Sequence, residues 1–234
     1  MREKNNFLFY RKVNRMKILF LDLNGTIRCG KTGKYIQWPQ GQKPMLGADK
    51  AIEHFADRNW QIIGISNQAA IAAGYKILEA TIVEMQFTLE LFPQLQEIFF
   101  CPDFEGRKCV MVSREKTIKC SLDPEEGYEL VGNLREINFR KPGDGMLRAA
   151  IEKYSRINIE SFLESCKVDP EYDCWMIGDR KEDKKAAASL GINYLDAEIW
   201  RRQFVPGMHQ VHQITPTQVR FLEGIEIDAY TNSV

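Results

Sequence analysis

The chain has 234 residues, and its 32 basic residues balance 32 acidic ones; this length suits one domain, with room for an insertion. The balanced charge neither favours nor excludes a polyanionic partner, so nucleic-acid binding would need a local basic patch. No apolar run reaches the roughly 20 residues of a membrane span, and the N-terminus does not resemble a signal peptide. With six scattered cysteines, these features predict a cytoplasmic protein with reduced thiols and no membrane partner.

The first 16 residues form a basic segment that contains a single acidic residue. Such an arm could bind phosphates, or it could be a solvated terminus, as short charged ends usually are. We predict that one domain covers residues 17–234 and carries an inserted segment at about 105–138.

An apolar run over 18–21 ends in Asp22, and Asn24 and Thr26 follow it. This pattern is typical of a buried strand that delivers a carboxylate to its C-terminal tip, where open α/β sheets place their chemistry. A carboxylate there, followed by polar and hydroxyl side chains, suits a nucleophile that accepts a phosphoryl group and shares a cation with its substrate.

The next segment predicts a flap, a helix and a second strand. Residues 28–47 show no sustained period, which indicates a loop too short for a helical cap domain and therefore a fairly open site. Helical spacing over 48–58 precedes an apolar run at 61–65, which ends at Ser66 and Asn67. A hydroxyl and an amide at a strand tip can donate hydrogen bonds to phosphate oxygens, or can belong to an ordinary turn and helix cap.

A long amphipathic helix over 78–92 and a third strand over 96–101 come before the predicted insertion. The insertion looks like a hairpin or small subdomain that shapes substrate access. Three cysteines lie at its start and within it, namely Cys101, Cys109 and Cys120. Their loose spacing does not guarantee the four convergent ligands of a zinc site, so structural thiols are the simpler interpretation.

Arg140 and Lys141 stand just before a helix that is predicted to continue to about Tyr154. A lysine in this place can neutralise phosphoryl charge, and the exposed N–H groups of a helix N-terminus also favour an anion. The alternative is a basic pair on a solvated loop.

A fourth apolar run over 174–178 ends at Asp179, and Asp183 follows inside a helix that stops at Gly191. The two carboxylates can face one site, and carboxylate oxygens are ligands that Mg²⁺ prefers. For Asp183 the alternative is compensation of the helix dipole. A fifth strand over 193–195 and a short helix or irregular tail over 215–223 complete the predicted elements, with His209 and His212 as solvated side chains.

Together these clusters resemble the four motifs of the haloacid dehalogenase (HAD) superfamily. Its phosphatases carry Asp-x-Asp-x-Thr, and Asp22 to Thr26 is similar except that Asn24 replaces the second acid. Residues 66–74 resemble the second motif, Thr-Asn-Gln-x-Gly-Ile-x-x-Gly. Residues 140–147 resemble the third, Arg-Lys-Pro-x-x-Gly-Met-Leu, and residues 178–183 resemble the fourth, Gly-Asp-x-x-x-Asp. These forms occur in a branch that includes histidinol-phosphate phosphatases, heptose-bisphosphate phosphatases and the 3'-phosphatase domain of polynucleotide kinases.

The resemblance implies an α/β fold, a three-layer sandwich with a mostly parallel, Rossmann-like sheet and no large cap domain. It also implies a phosphatase in which Asp22 attacks phosphorus. The implied Mg²⁺ site consists of Asp22, the backbone carbonyl of Asn24, Asp179 and the supporting Asp183. The implied phosphate and substrate contacts are Ser66, Asn67, Lys141 and Arg140.

Asn24 is the departure that bears on activity. In the family this position supplies the acid that protonates the leaving alkoxide and the base that activates water, and an amide does neither at neutral pH. General acid–base catalysis typically raises the reaction rate by about 10²- to 10⁴-fold. Without it, the sequence predicts a slow phosphatase, a stalled phosphoenzyme or a phosphate-binding or regulatory protein. The substrate is left open between a small metabolite and a nucleic-acid 3'-phosphate end.

Overall fold

The fold is taken from a computed structural model, which describes residues 16–33, 35–130, 137–155, 158–169, 172–207 and 214–223. The basic arm, apart from its last residue, therefore lies outside the described residues. The same is true of His209 and His212.

A mostly parallel sheet forms the middle layer of the described domain. The strands are β1 (Lys17–Asp22), β2 (Arg28–Gly30), β3 (Gln42–Pro44), β4 (Trp60–Asn67), β5 (Glu97–Cys101), β6 (Lys108–Ser113), β7 (Thr117–Ser121), β8 (Glu129–Leu130), β9 (Asp173–Gly178) and β10 (Asn193–Asp196). Within the described ranges, the main sheet has the order β10-β9-β1-β4-β5-β6-β7-β8, and β2 pairs with β3 in a separate hairpin. All pairs from β10 to β5 are parallel, whereas β6 runs antiparallel to both of its neighbours.

Helices cover both faces of this sheet. They are α1 (Ala48–Asp57), α2 (Ala69–Ala72), α3 (Leu78–Leu91), α4 (Gly145–Tyr154), α5 (Ile159–Val168), α6 (Lys181–Leu190), α7 (Ala197–Arg202) and α8 (Pro216–Leu222). Buried side chains of α1, α3, α7 and α8 pack on one face, and those of α4, α5 and α6 pack on the other. The predicted three-layer α/β sandwich is confirmed.

Strand β1 shows why its apolar run is uninterrupted. Leu19 and Leu21 belong to the core on one face of the sheet, whereas Ile18 and Phe20 belong to the core on the other. Side chains alternate along a strand, so a strand that is covered on both sides needs apolar residues at every position. Each such burial contributes roughly 1.5–3 kcal/mol relative to exposure.

The order of the strands decides where a site can form. From β1 the chain moves to β4 and β5 on one side, and it later returns to β9 and β10 on the other side. The direction in which successive strands are added to the sheet therefore reverses between β1 and β9. Ligands of open α/β sheets bind at the carboxyl ends of the strands at such a switch point. Asp22 and Asp179 stand at this place.

Several elements differ from the sequence prediction or refine it. The flap contains the β2–β3 hairpin, and the strands of the insertion extend the main sheet beyond β5 instead of forming a separate subdomain. Helix α7 was not predicted; Asp196 caps it by accepting hydrogen bonds from the backbone N–H groups of its first turn. The C-terminal segment forms α8, and its Phe221 stacks on Trp175 with ring centroids 4.0 Å apart.

None of the helices in the described ranges is long and apolar enough to cross a membrane.

Candidate active site

Three carboxylates meet at the switch point. Asp22 ends β1, Asp179 directly follows β9, and Asp183 lies in the first turn of α6. One oxygen from each lies within 4.8 Å of the others, and they form the only such group of potential metal ligands within the described residues. Because β1 and β9 are parallel neighbours, their carboxyl ends share one edge of the sheet, and this brings together the three carboxylates that the sequence assigned to a metal.

Two glycines permit this close approach. Gly25 has a φ of 89°, and a Cβ there would stand 2.3 Å from Oδ2 of Asp179. A Cβ on Gly178 would stand 2.3 Å from Oδ2 of Asp183. Any larger residue at either position would push a carboxylate away, so the two glycines are part of the construction of the site.

Lys141 joins two of the carboxylates. Its Nζ lies 2.6 Å from Oδ1 of Asp22 and 2.6 Å from Oδ1 of Asp183, and it also donates to the carbonyl of Ile65 at 3.1 Å. The residue is only 4% exposed. Burial alone would lower the pKa of Lys141, but the two carboxylates raise it by more, and the net pKa lies above the ordinary value. The ammonium is therefore charged at neutral pH.

The electrostatics of the carboxylates favour a cation. Burial raises the pKa of Asp179, and the neighbouring charge of Asp22 raises it further. Burial also raises the pKa of Asp183, where the ammonium of Lys141 opposes the shift. The buried ammonium of Lys141 and the exposed guanidinium of Arg180, whose Nε lies 3.9 Å from Oδ1 of Asp179, offset only part of the charge of the three carboxylates, and a further positive charge would relieve their repulsion.

Ser66 and Asn67 lie at the end of β4, beside Lys141. Nδ2 of Asn67 donates to the Lys141 carbonyl at 2.9 Å, and the Lys141 N–H donates to Oδ1 of Asn67 at 3.0 Å. The amide therefore holds the lysine backbone, and its predicted contact with a phosphoryl group stays a prediction. Ser66 is buried, and its Oγ accepts a hydrogen bond from Nε2 of Gln68 at 2.8 Å.

Asn24 and Arg140 make their contacts away from the carboxylates. Oδ1 of Asn24 accepts a hydrogen bond from Nε of Arg28 at 3.1 Å. Arg140 donates to the Asp103 carbonyl at 3.4 Å, and its guanidinium lies 5.8 Å from the ring centroid of Phe104. Arg140 therefore lies against the loop after β5, and its predicted contact with substrate stays a prediction.

The buried polar side chains behind Asn24 were not predicted from the sequence. Arg28 is 0% exposed and forms an ion pair with Glu84 of α3 at 2.8 Å. The available signal was a polar stripe at helical spacing in α3, formed by Thr81, Glu84 and Thr88, all of which are buried. Buried polar residues on the inner face of a helix need partners, and here the partner of Glu84 and Thr88 is an arginine from the flap.

The three cysteines lie at the β5 side of the sheet. Cys109 and Cys120 are opposite each other on β6 and β7, and Sγ of Cys101 lies 3.0 Å from Oδ1 of Asp103. Burial raises the pKa of all three thiols, which disfavours the thiolate form that metals bind. They do not join the carboxylate group described above.

Residues 138–195 of the chain match a family model described as HAD-hydrolase-like. This segment is therefore similar to HAD-like hydrolases. It contains Lys141, Asp179 and Asp183.

Curated relatives of the chain are bacterial enzymes. A D-glycero-beta-D-manno-heptose-1,7-bisphosphate 7-phosphatase of Pseudomonas putida is 29% identical over 181 residues, which is 75% of this chain and 79% of that protein. The protein of the same name from Haemophilus ducreyi is 26% identical over 75% of this chain and 79% of that protein. The histidine biosynthesis bifunctional protein HisB of Legionella pneumophila is 26% identical over 76% of this chain and only 40% of its own length.

One solved structure that the comparison found is the crystal structure of a D,D-heptose 1,7-bisphosphate phosphatase from B. bronchiseptica, complexed with magnesium and phosphate. It is 20% identical, covers 76% of this chain and 79% of that chain, and has a TM-score of 0.47.

Proposed function

We propose that this chain hydrolyses a phosphate monoester, and that Asp22 is the nucleophile that forms an aspartyl-phosphate. The observation that carries the proposal is the contact between Asp22 and Lys141, 2.6 Å long and buried, inside a group of three carboxylates. The buried ammonium beside Asp22 holds the nucleophile in place and offers positive charge to an incoming phosphoryl group. The relatives named as heptose-bisphosphate phosphatases support the same reaction class.

The donor set fits Mg²⁺. Its side-chain ligands are hard carboxylate oxygens that lie within 4.8 Å of one another, and Mg²⁺ prefers such ligands. Asp22, Asp179 and the backbone carbonyl of Asn24 would hold the ion, with Asp183 in support. When bound, the ion neutralises charge on the phosphoryl oxygens.

The residues of the chain account for the remaining parts of the reaction. Lys141 holds Oδ1 of Asp22, and the hydroxyl of Thr26 lies 3.3 Å from its Oδ2, so the carboxylate is oriented for in-line attack on phosphorus. The attack forms the bond from the carboxylate oxygen to phosphorus and breaks the bond to the leaving oxygen. Ser66, whose Oγ already accepts from Gln68, keeps its hydroxyl proton for a phosphoryl oxygen. Asn67 fixes the backbone of Lys141 throughout.

The second step requires water to attack the aspartyl-phosphate. Asn24 provides no base for this water at neutral pH, so the phosphoenzyme is expected to break down slowly. This one feature favours a second candidate function, a phosphate-binding or regulatory protein that does not turn over. Hydrolysis of an aryl phosphate, which has a good leaving group, separates the two candidates.

For the substrate we favour a small phosphorylated metabolite, the class to which the named substrates of the relatives belong. The alternative is a nucleic-acid 3'-phosphate end. It depends on the basic arm over 1–16, and most of that arm lies outside the described residues.

The test is a phosphatase screen of the parent chain and its Asn24→Asp variant. The panel holds an aryl phosphate, sugar phosphates including a bisphosphate, histidinol phosphate, nucleotides and 3'-phosphorylated oligonucleotides, each at two salt concentrations. We expect Mg²⁺-dependent hydrolysis of a small metabolite at a rate that does not fall with salt, and no hydrolysis by Asp22→Asn. Preference for an oligonucleotide with strong loss at high salt would select the alternative substrate, because binding to a phosphate backbone weakens as salt rises. No hydrolysis by either chain would overturn the phosphatase proposal.

A further inference from the structure

Arg28 is a fully buried arginine in the turn that follows the nucleophile. Its backbone N–H donates to the Leu23 carbonyl at 3.0 Å, and its own carbonyl accepts from the N–H of Gly25 at 2.9 Å. The turn also pairs Asn24 with Arg28 in an isolated β-bridge. The backbone thus places the guanidinium directly beside the Asn24 side chain.

Three further side chains hold the guanidinium from behind. Nη1 donates to Oε1 of Gln42 at 2.8 Å and also to the hydroxyl of Thr88, and Nη2 donates to Oε1 of Glu84 at 2.8 Å. Gln42 is fixed in turn, because its Nε2 donates to the Glu84 carbonyl at 2.9 Å. An arginine held by this many acceptors presents its Nε–H in one direction, and that direction is Asn24.

The contact decides which way the Asn24 amide is turned. A guanidinium only donates hydrogen bonds, so the Asn24 atom that faces Nε of Arg28 at 3.1 Å must be the oxygen. The NH₂ group of Asn24 therefore points away from Arg28, and it has no hydrogen-bond partner within the described residues. We infer that Arg28 is a positioning residue that fixes Asn24 as a hydrogen-bond donor to the substrate; this inference rests on the proposed phosphatase function.

A donor at position 24 suits a particular class of substrate. The attack of Asp22 breaks the bond between phosphorus and the leaving oxygen, which departs as an anion with the bonding electron pair. The NH₂ of Asn24 can donate a hydrogen bond to this anion but transfers no proton to it. Among small phosphorylated metabolites, the parent chain is therefore expected to hydrolyse those with weakly basic leaving groups, such as acyl, enol or aryl phosphates, faster than the alkyl phosphates of sugars, whose leaving alkoxide needs a proton.

The experiment compares Arg28→Met, Asn24→Ala and the double variant, with Lys153→Met as the control. Lys153 also forms an ion pair with a buried acid, Glu97, which begins β5 and pairs with Ile63, four residues before the end of β4. We expect Arg28→Met to lower the burst rate of phenol release from an aryl phosphate roughly 10-fold, the scale of one hydrogen bond to developing charge, because the burst measures the step in which the leaving oxygen departs. Steady-state kcat, which the slow breakdown of the phosphoenzyme limits, should change little. In the Asn24→Ala background the same change should have almost no further effect on the burst rate. Lys153→Met should lower the unfolding temperature and leave the burst rate unchanged.

Two outcomes would overturn the inference. One is that the effects of Arg28→Met and Asn24→Ala on the burst rate simply multiply, and the other is that Arg28→Met affects stability alone, as expected for Lys153→Met. If Arg28→Met does not fold, Arg28→Lys keeps the charge without the planar guanidinium, and it should show the same loss of burst rate and the same dependence on Asn24.

A second readout needs no turnover, so it separates this inference from the proposed function. The side-chain ¹H–¹⁵N signal of Asn24, assigned by its loss in Asn24→Ala, is expected to move in the Arg28 variant and to stay in place in Lys153→Met. An unmoved signal in the Arg28 variant would overturn the inference even if the chain is an active phosphatase. A moved signal in a chain without any phosphatase activity would count against the proposed function alone.

Discussion

The side chain of Asn67 and the backbone of Lys141 are joined by two hydrogen bonds, at 2.9 and 3.0 Å. They connect the end of β4 to the loop before α4, two parts of the chain that are 74 residues apart. Because the ammonium of Lys141 contacts both Asp22 and Asp183, these bonds fix the position of the charge at the centre of the site.

Asn67→Ala is expected to lower kcat. Without the two hydrogen bonds the lysine backbone can shift, and a displacement of about 1 Å in such a site can cost roughly 10²-fold in rate. Steady-state kinetics with an aryl phosphate measure the change. Asn193→Ala is the control, since Asn193 also donates a side-chain hydrogen bond, at 3.5 Å to Asp173, but at the start of β10 and away from the site. Equal kcat values for the two variants would show that Asn67 does not position Lys141.

Asp179→Asn is expected to stabilise the metal-free chain at neutral pH. Burial and the charge of Asp22 raise the pKa of Asp179 above its ordinary value of 3.8. A raised carboxyl pKa gives stability that is fully present below the unfolded pKa and lost as pH rises through the folded pKa. Asparagine does not ionise, so the variant does not lose this stability as pH rises. Its melting temperature at pH 7 should therefore be higher than that of the parent, and it should change less than that of the parent between about pH 4 and 7.

The same variant should lose most of the stabilisation that Mg²⁺ gives to the parent, because a ligand is missing. Thermal melts with and without Mg²⁺ measure both effects. Glu182→Gln, which changes an exposed acid in the first turn of α6, three residues after Asp179, should behave like the parent. A full response to Mg²⁺ in Asp179→Asn would remove Asp179 from the metal site.

Gly25→Ala is expected to damage the site more than a matched glycine change elsewhere. Gly25 and Gly191 both have positive φ, at 89° and 77°, so alanine is strained at either position by roughly 1 kcal/mol. Only at Gly25 would the added Cβ meet a carboxylate, 2.3 Å from Oδ2 of Asp179, whereas nothing lies within 4 Å at Gly191. Both variants should lose stability, but only Gly25→Ala should lose Mg²⁺ affinity, measured by calorimetry. Equal Mg²⁺ affinity would contradict the close approach of Gly25 and Asp179.

Asn24→Asp is expected to raise steady-state phosphatase activity by roughly 10²-fold or more. Nε of Arg28, 3.1 Å from the present Oδ1, would hold one oxygen of the new carboxylate and leave the other as a base for water. With an aryl phosphate, the parent should release one equivalent of phenol in a burst and then turn over slowly, and the variant should show no burst. Equal steady-state rates would mean that the acid and base come from another residue, and Asp144 and Asp103 would be examined next.

The parts of the fold that the sequence predicted are those with a strong local pattern. Strand β1 is apolar at residues 18–21 because this part of the strand is buried on both faces, and α6 is followed by Gly191, where a left-handed residue is needed. Helix α7 was not predicted, because it is short and begins directly after β10 and so has little hydrophobic periodicity of its own. The insertion was recognised, but its place in the main sheet depends on pairing with β5, which no local pattern contains.

The site was predicted to a similar extent and for similar reasons. Asp22, Asp179 and Asp183 follow or lie near apolar strands, and the order of the strands then brings them together. The partners of Asn67 and Arg28 come from 74 and 56 residues away, and only the folded chain shows them.

The most direct test of the central claim is a search for the phosphoenzyme. The parent chain is mixed with Mg²⁺ and an aryl phosphate, quenched in acid after one turnover, and analysed by mass spectrometry as intact protein and as peptides. We predict the added mass of one phosphoryl group, located on Asp22, and its absence in Asp22→Asn; in Asn24→Asp the adduct should be much weaker because water removes it faster. A phosphoryl group on another residue, or hydrolysis by the parent without any trapped adduct, would contradict Asp22 as the nucleophile of a slowly dephosphorylated enzyme.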